Sequence, residues 1–206
     1  MNVIFQAHYV QTPKTPIRHI ADGGKICQNI SGHVVKLNVS SPGNMRVLNA
    51  TANRYQKNIK DSINNRNYAD SARNNFNRIY CNPSLRENEE FYVYTTEDVD
   101  KTAEFETMDI EQIVGVAQVN NSPESKICEL KFFHVDPRTN YRAEKRKYTE
   151  VGESFLKGLE NIVKKSVLVN PDYKAWGFYL KMGYEAYKSG MLIHEYKEEE
   201  TTSPSE

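Results

Sequence analysis

The sequence predicts an α/β chain: a mixed, mostly antiparallel central sheet of about seven strands with helices on its faces. Three observations carry that class. The middle of the chain holds runs of alternating apolar residues; the flanking regions hold apolar residues spaced three and four apart; and one strand–helix–strand step interrupts the antiparallel order. Apolar residues make up 38% and charged residues 26% of 206 residues, and 13 Tyr and 8 Phe can anchor a core of that size.

Taken in order, residues 1–32 contain Pro13, Pro16, Gly23 and Gly24 and read as an N-terminal extension, with one strand over Val3–Val10. HVVKLNV (33–39) alternates as a strand and opens the main domain, residues 33–196. Ser40-Ser41-Pro42-Gly43-Asn44 supplies helix-start chemistry. From Met45 to Tyr80 the apolar stripe Leu48, Ala52, Tyr55, Ile59, Ile63, then Tyr68, Ala72, Phe76, Ile79 predicts two helices, broken at Asn64–Asn67. FYVYTTE (91–97), IVGVAQVNN (113–121) and ICELKFFHV (127–135) read as an antiparallel meander, with an acidic loop over 97–111. A long helix follows, its face set by Val151, Phe155, Leu156, Leu159, Ile162 and Val163. SVLV (166–169) is a short apolar strand, AWGFYLKM (175–182) a helix closing on Gly183, and the last two strands form a hairpin turning near Ser189-Gly190. The tail 197–206 has a disordered composition.

Composition narrows the function. Lys+Arg and Asp+Glu balance at 27 each, which argues against a general nucleic-acid binder. No apolar run is long enough to span a membrane, and the opening MNVIFQAHYVQTPK lacks the basic start and apolar stretch of a signal peptide. Cys27, Cys81 and Cys128 form no pair or zinc-spaced cluster. The expectation is a cytoplasmic protein with reduced thiols, no structural metal and no membrane partner.

Three stretches then resemble the GNAT superfamily of acyl-CoA-dependent N-acyltransferases: ELKFFHVDP (129–137), EVGESFLKGLENI (150–162) and DYKAWGFYLKMGY (172–184). The first is similar to the end of the family's fourth strand. The second is similar to the start of the following helix, with Val151, Gly152, Phe155 and Leu156 in register. The third matches at Ala175, Phe178, Tyr179, Gly183 and Tyr184, with Asp172 in the asparagine place. Element order extends the resemblance over residues 33–196. The phosphate-binding segment departs from the family: Lys147 stands where Gln or Arg is usual, Glu150 replaces the first glycine, and the connection from Pro137 is long and basic. A second register, with Asn140, Ala143 and Lys145 in those places, puts no glycine at the helix start.

The resemblance implies an enzyme that moves an acetyl group from acetyl-CoA, as acyl donor, to an amine acceptor. It implies pantetheine pairing along Phe133, His134 and Val135, and pyrophosphate contacts at the helix start from Arg142, Lys147, Tyr148, Val151 and Gly152. Tyr179 takes the place of an acid that protonates the departing thiolate, and Glu129 that of a base for the attacking amine. Two other readings compete. A GNAT-like fold without catalysis would be a binding or regulatory module, and an aminoacyl-tRNA-acetylating toxin would use the basic run Arg138–Lys147. Acceptor identity and oligomeric state, a homodimer among the options, stay open at this level.

Overall fold

A computed structural model describes residues 8–9, 15–20, 26–58, 74–75, 77–78, 81–82, 84, 87–96, 109–139 and 147–197. Among these, ten strands join in one sheet: β1 (His8–Tyr9), β2 (Thr15–Ile20), β3 (Ile26–Leu37), β4 (Glu89–Thr95), β5 (Ile113–Asn120), β6 (Ile127–Val135), β7 (Tyr148–Thr149), β8 (Ser166–Val169), β9 (Glu185–Ala186) and β10 (Leu192–His194). Their spatial order is β7-β2-β3-β4-β5-β6-β8-β10-β9, and β1 adds to β3. All neighbours are antiparallel except β6 and β8.

Helix α1 (Pro42–Asn58) covers one face, and helices α2 (Val151–Val163) and α3 (Trp176–Lys181) cover the other. The start of α1 follows its sequence: the Asn44 N–H donates to Ser41 Oγ at 3.4 Å, and Pro42 opens the first turn, where no N–H is needed. Leu48, Ala52 and Tyr55 of α1 pack on Val35, Leu37, Phe91, Val93, Ile113 and Val116. On the opposite face, the buried stripe Val151, Phe155, Leu156, Leu159 and Val163 of α2 closes over Tyr92, Tyr94, Ala117, Val119, Cys128 and Leu130. Gly32 and Gly115 make that closure possible. A Cβ on Gly32 would stand 2.0 Å from the Tyr94 hydroxyl oxygen, and one on Gly115 would stand 2.6 Å from the Phe155 ring.

The meander, the crossover helix and the closing hairpin agree with the sequence expectation. The strand count is ten rather than about seven, and the N-terminal reading needs correction. The strand expected at 33–39 begins at Ile26, and Thr15–Ile20 pairs with it, so residues 15–32 contribute strands rather than an extension outside the sheet. Pro16 is tolerated because β7 meets β2 only at Arg18 and His19, so no described strand pairs with Pro16 on that edge. The last predicted helix opens as a 3₁₀ turn, Tyr173–Ala175, and Gly183 stops it with φ +88°. The second half of the 45–80 helical stripe, most of the acidic loop and residues 198–206 lie largely or wholly outside the described residues. Among the described residues, no helix is long and apolar enough to cross a membrane.

Candidate functional site

Strand β6 organises the site. Its first half, Ile127–Leu130, pairs in parallel with Ser166–Val169, and there β8 ends. Among the described residues its second half, Phe132–Val135, pairs only with β5, on the other side. Between the halves lies a β-bulge: Gln118 opposes Phe132 and Val119 opposes Leu130, so Lys131 is an extra residue. The bulge switches faces. Cys128 and Leu130 point to the α2 side before it, whereas Phe133 and Val135 do so after it, and Phe132 joins the α1-side cluster. In an antiparallel pair, alternate residues direct their N–H and C=O away from the partner strand. Along Phe132–Val135 those groups face a side where no described strand pairs.

The start of α2 stands beside this open edge. A Cβ on Gly152 would lie 3.4 Å from the Phe178 ring and 3.8 Å from Val135 Cγ1, so the helix start, α3 and the end of β6 meet at one glycine. From there a run of aromatic contacts spans the α2 face. Tyr94 stacks on Phe155 at 5.2 Å, Phe155 on Phe133 at 5.0 Å, and Phe133 on Phe178 at 6.1 Å between centroids. Tyr179 meets Phe178 and Tyr184 edge-on at 5.1 and 5.2 Å. Tyr184 donates to Glu160 Oε1 at 2.7 Å, the same oxygen that lies 3.0 Å from His194 Nδ1.

Tyr179 is buried at the centre of that run, and among the described residues its hydroxyl has no hydrogen-bond partner. Burial raises its pKa above the ordinary value near 10, so the phenol keeps its proton across the neutral range. Glu129 and His134 are on the α1 side of β6. Glu129 is half-exposed, and its Oε2 is held by Lys131 Nζ at 2.6 Å, leaving Oε1 for a second partner. Burial pushes the His134 imidazole down to about 4, which makes it neutral and a weak base at pH 7. Burial likewise pushes the Cys128 thiol up to about 12, so no thiolate is available there.

The predicted phosphate segment is partly different from its expectation. Lys147, Tyr148 and Thr149 are already committed: the Lys147 N–H donates to Arg138 O at 3.1 Å, and Tyr148–Thr149 forms the short strand β7 against β2. Tyr148 and Val151 are buried, so their side chains belong to the core. Lys147 Nζ lies 5.2 Å from the centre of the Tyr148 ring. Free helix-start N–H groups therefore begin at Val151, since the Ser154 N–H already donates to Glu150 O at 2.9 Å. Glu150 precedes them in the left-handed region at φ 62°, the conformation a glycine would take without strain. Its carboxylate pairs with Arg18 Nε at 3.3 Å. Arg18 carries no local signal in the sequence, because β2 and β7 bring it here from the far end of the chain. Arg142, Lys145 and Arg146 lie outside the described residues.

The far end of β6 is pinned by charge. Asp136, 1% exposed, is bound by Arg54 Nη2 at 3.0 Å and by Arg138 through Nε and Nη2 at 3.0 and 2.8 Å. Arg54 also donates to Ile113 O, and Tyr55 OH donates to the same carbonyl at 3.2 Å. This group ties α1 to the strand ends and holds the open half of β6 in position.

No family model and no curated protein matches the chain. Among solved structures it is similar to the PaiA N-acetyltransferase of Thermoplasma acidophilum in complex with coenzyme A, at 16% identity and TM-score 0.46, over 80% of this chain and 97% of that one. It is similar to GCN5 of Tetrahymena at 13% identity and TM-score 0.45, over 74% and 88%. An aminoglycoside 6'-acetyltransferase type Ii matches at 12% identity and TM-score 0.48, over 81% and 98%. At these scores the likenesses carry nothing about function, which rests on the residues themselves.

Proposed function

We propose that the chain is an N-acyltransferase that moves an acetyl group from acetyl-CoA to an amine. The observation that carries this reading is the half-paired strand β6, whose bulge at Lys131 leaves Phe132–Val135 open beside the start of α2. An extended chain with amide groups can pair with such an edge as an added strand does, and the pantetheine arm of coenzyme A is a chain of that kind. Free N–H groups at Val151–Glu153 and the positive end of the helix suit its pyrophosphate, with Gly152 allowing close approach.

Attack by a neutral amine on the thioester carbonyl forms a C–N bond and a tetrahedral oxyanion. Collapse then breaks the C–S bond and releases a thiolate. Tyr179 donates its proton to that sulfur, which agrees with a phenol that burial keeps protonated and that bonds to no described residue. The proton lost by the amine goes to Glu129, through the oxygen that Lys131 leaves unoccupied. His134 serves as a backbone position on β6 rather than as the base, given its burial.

A non-catalytic binding module is the second reading, and Glu150 favours it: its carboxylate stands at the helix start, where phosphate would otherwise face only N–H groups. Calorimetry with acetyl-CoA, followed by turnover of Tyr179→Phe, separates the two. The transferase reading expects saturable binding and a fall in kcat of about 100-fold in the variant with acetyl-CoA affinity unchanged. Absence of binding at millimolar ligand overturns it. Unchanged turnover removes Tyr179 from the acid role.

A further inference from the structure

The α1 side of the sheet carries one polar row directly beside Glu129. Glu89 of β4 opposes Asn120 of β5, which opposes Glu129 of β6, so the three side chains share one face. One step inward, Gln118 is on the same face between Phe91 and Phe132. Gln118 Nε2 donates to Glu89 Oε2 at 2.8 Å, and Asn120 Nδ2 donates to Glu89 Oε1 at 3.1 Å. Both partners of this carboxylate are thus neutral amides.

Two further facts show that the row is incomplete. Gln118 is 2% exposed, yet among the described residues its Oε1 accepts no hydrogen bond, and an orphaned buried acceptor is destabilising. Glu89 has no cationic partner among the described residues. Its neighbour Glu90, on the opposite face, shows what compensation looks like, being bound by Lys36, Tyr92 and Asn121. On one face the carboxylate has its cation. On the other face a half-buried carboxylate and an orphaned amide oxygen both lack an N–H donor that carries charge.

We propose that Glu89 and Gln118 form a subsite for a second, protonated amine of the acceptor, and therefore that the acceptor class is a linear di- or polyamine. This rests on the transferase reading for the position of the first amine, at Glu129. The backbones of β4 and β6 are two strand spacings apart, roughly 9–10 Å. A flexible chain of about three to five methylenes with an ammonium at each end is of the length that such a spacing calls for. The burial of Gln118 favours a thin alkylammonium over a ring, and its terminal amide turns easily about a soft last torsion to meet it.

The test is titration calorimetry on the full chain with 1,4-diaminobutane and with 1-aminobutane, without acetyl-CoA. The expected result is at least about tenfold tighter binding of the diamine. Glu89→Gln should bring the two affinities together, and Gln118→Met should reduce the diamine preference while leaving monoamine binding as it was. Thermal melts followed by circular dichroism establish that the variants fold, and the wild-type ratio stands independently of them. Equal affinity for both amines in the wild type overturns the subsite, as does a ratio that survives Glu89→Gln in a folded protein. Diamine preference without acetyl transfer removes the transferase reading and keeps the cation subsite. Equal kcat/KM for the two amines in acetyl transfer keeps the transferase and removes the subsite.

Discussion

The two halves of β6 differ by a single inserted residue and do opposite jobs. Ile127–Leu130 is paired along its length with β8, and at Glu129 and Leu130 with β5 as well, and it carries Cys128 and Leu130 into the core under α2. Phe132–Val135 is paired on one side only, with Phe133 and Val135 turned to the same core and the backbone left open. Lys131 accounts for the change of face: it has no partner on β5, and were it paired as an ordinary strand residue, strict alternation would send Phe132 and His134 under α2 and Phe133 and Val135 to α1. The lesson is that a strand can be structural and receptive in turn, provided the register is broken where the role changes.

Deleting Lys131 is the most direct way to break that contrast. It would leave Leu130 opposite Val119 and Phe132 opposite Gln118 as consecutive residues, so every side chain keeps its face and the run Phe155–Phe133–Phe178 survives, while the bend and added twist of the bulge are lost and acetyl-CoA affinity should fall about 100-fold. A retained cooperative melt and near-ultraviolet aromatic signal, with weakened acetyl-CoA binding by calorimetry, is the expected measurement. A variant that binds acetyl-CoA as tightly as the parent would show that the bulge is not what makes the second half of the strand receptive. Gly152→Ala sharpens the contrast instead. Its new methyl meets Phe178 and Val135 at ordinary contact distance, so stability should stay level or rise by about 0.5 kcal/mol from the helix gain. The same methyl narrows the approach to the open half, and acetyl-CoA affinity should fall about tenfold. Equal affinity would separate Gly152 from the site.

The smallest effect belongs to the closed half. Glu90, in the row of Val119 and Leu130, is burdened by burial, but hydrogen bonds from Lys36, Tyr92 and Asn121 together outweigh it and hold its pKa below 4.5. A carboxylate depressed in the folded state contributes stability above its unfolded pKa and loses it as pH falls through the folded one. The melting temperature should therefore be flat in this respect down to about pH 5 and decline below, and Glu90→Gln should flatten part of that decline. An identical acid limb in the variant would dismiss this contribution.

How much of this was legible beforehand follows the same division. Strands β4, β5, β6 and β8 were evident from alternating apolar runs bounded by turn residues, because each has one or two buried faces that leave a period in the sequence. Tyr179, Gly152 and the end of β6 are singled out by the resemblance alone, and in the structure they meet around Phe178. The bulge left a trace that went unread: the apolar α2-facing positions step from Leu130 to Phe133, an interval of three inside a run of two. Strands β2 and β7 left almost none. They are short and polar, one contains Pro16, and each exists only because a partner distant in sequence pairs with it. Glu89 and Gln118 read as ordinary strand residues until their register with Glu129 is known.

The pairing of β2 with β7 also bears on how the molecule assembles. Arg18 meets Thr149 and then Glu150, residues that the chain separates by most of its described length, so forming this contact closes a very large loop. Contacts of such long range are favoured only after the intervening sheet has removed most of the chain's freedom. The meander can gather from neighbours alone, whereas the brace at the start of α2 waits for both distant strands to arrive. The helix end that would receive an anion is thus among the last parts of the fold to be completed, and a chain still being synthesised has no finished pocket before the region around Thr149 has emerged.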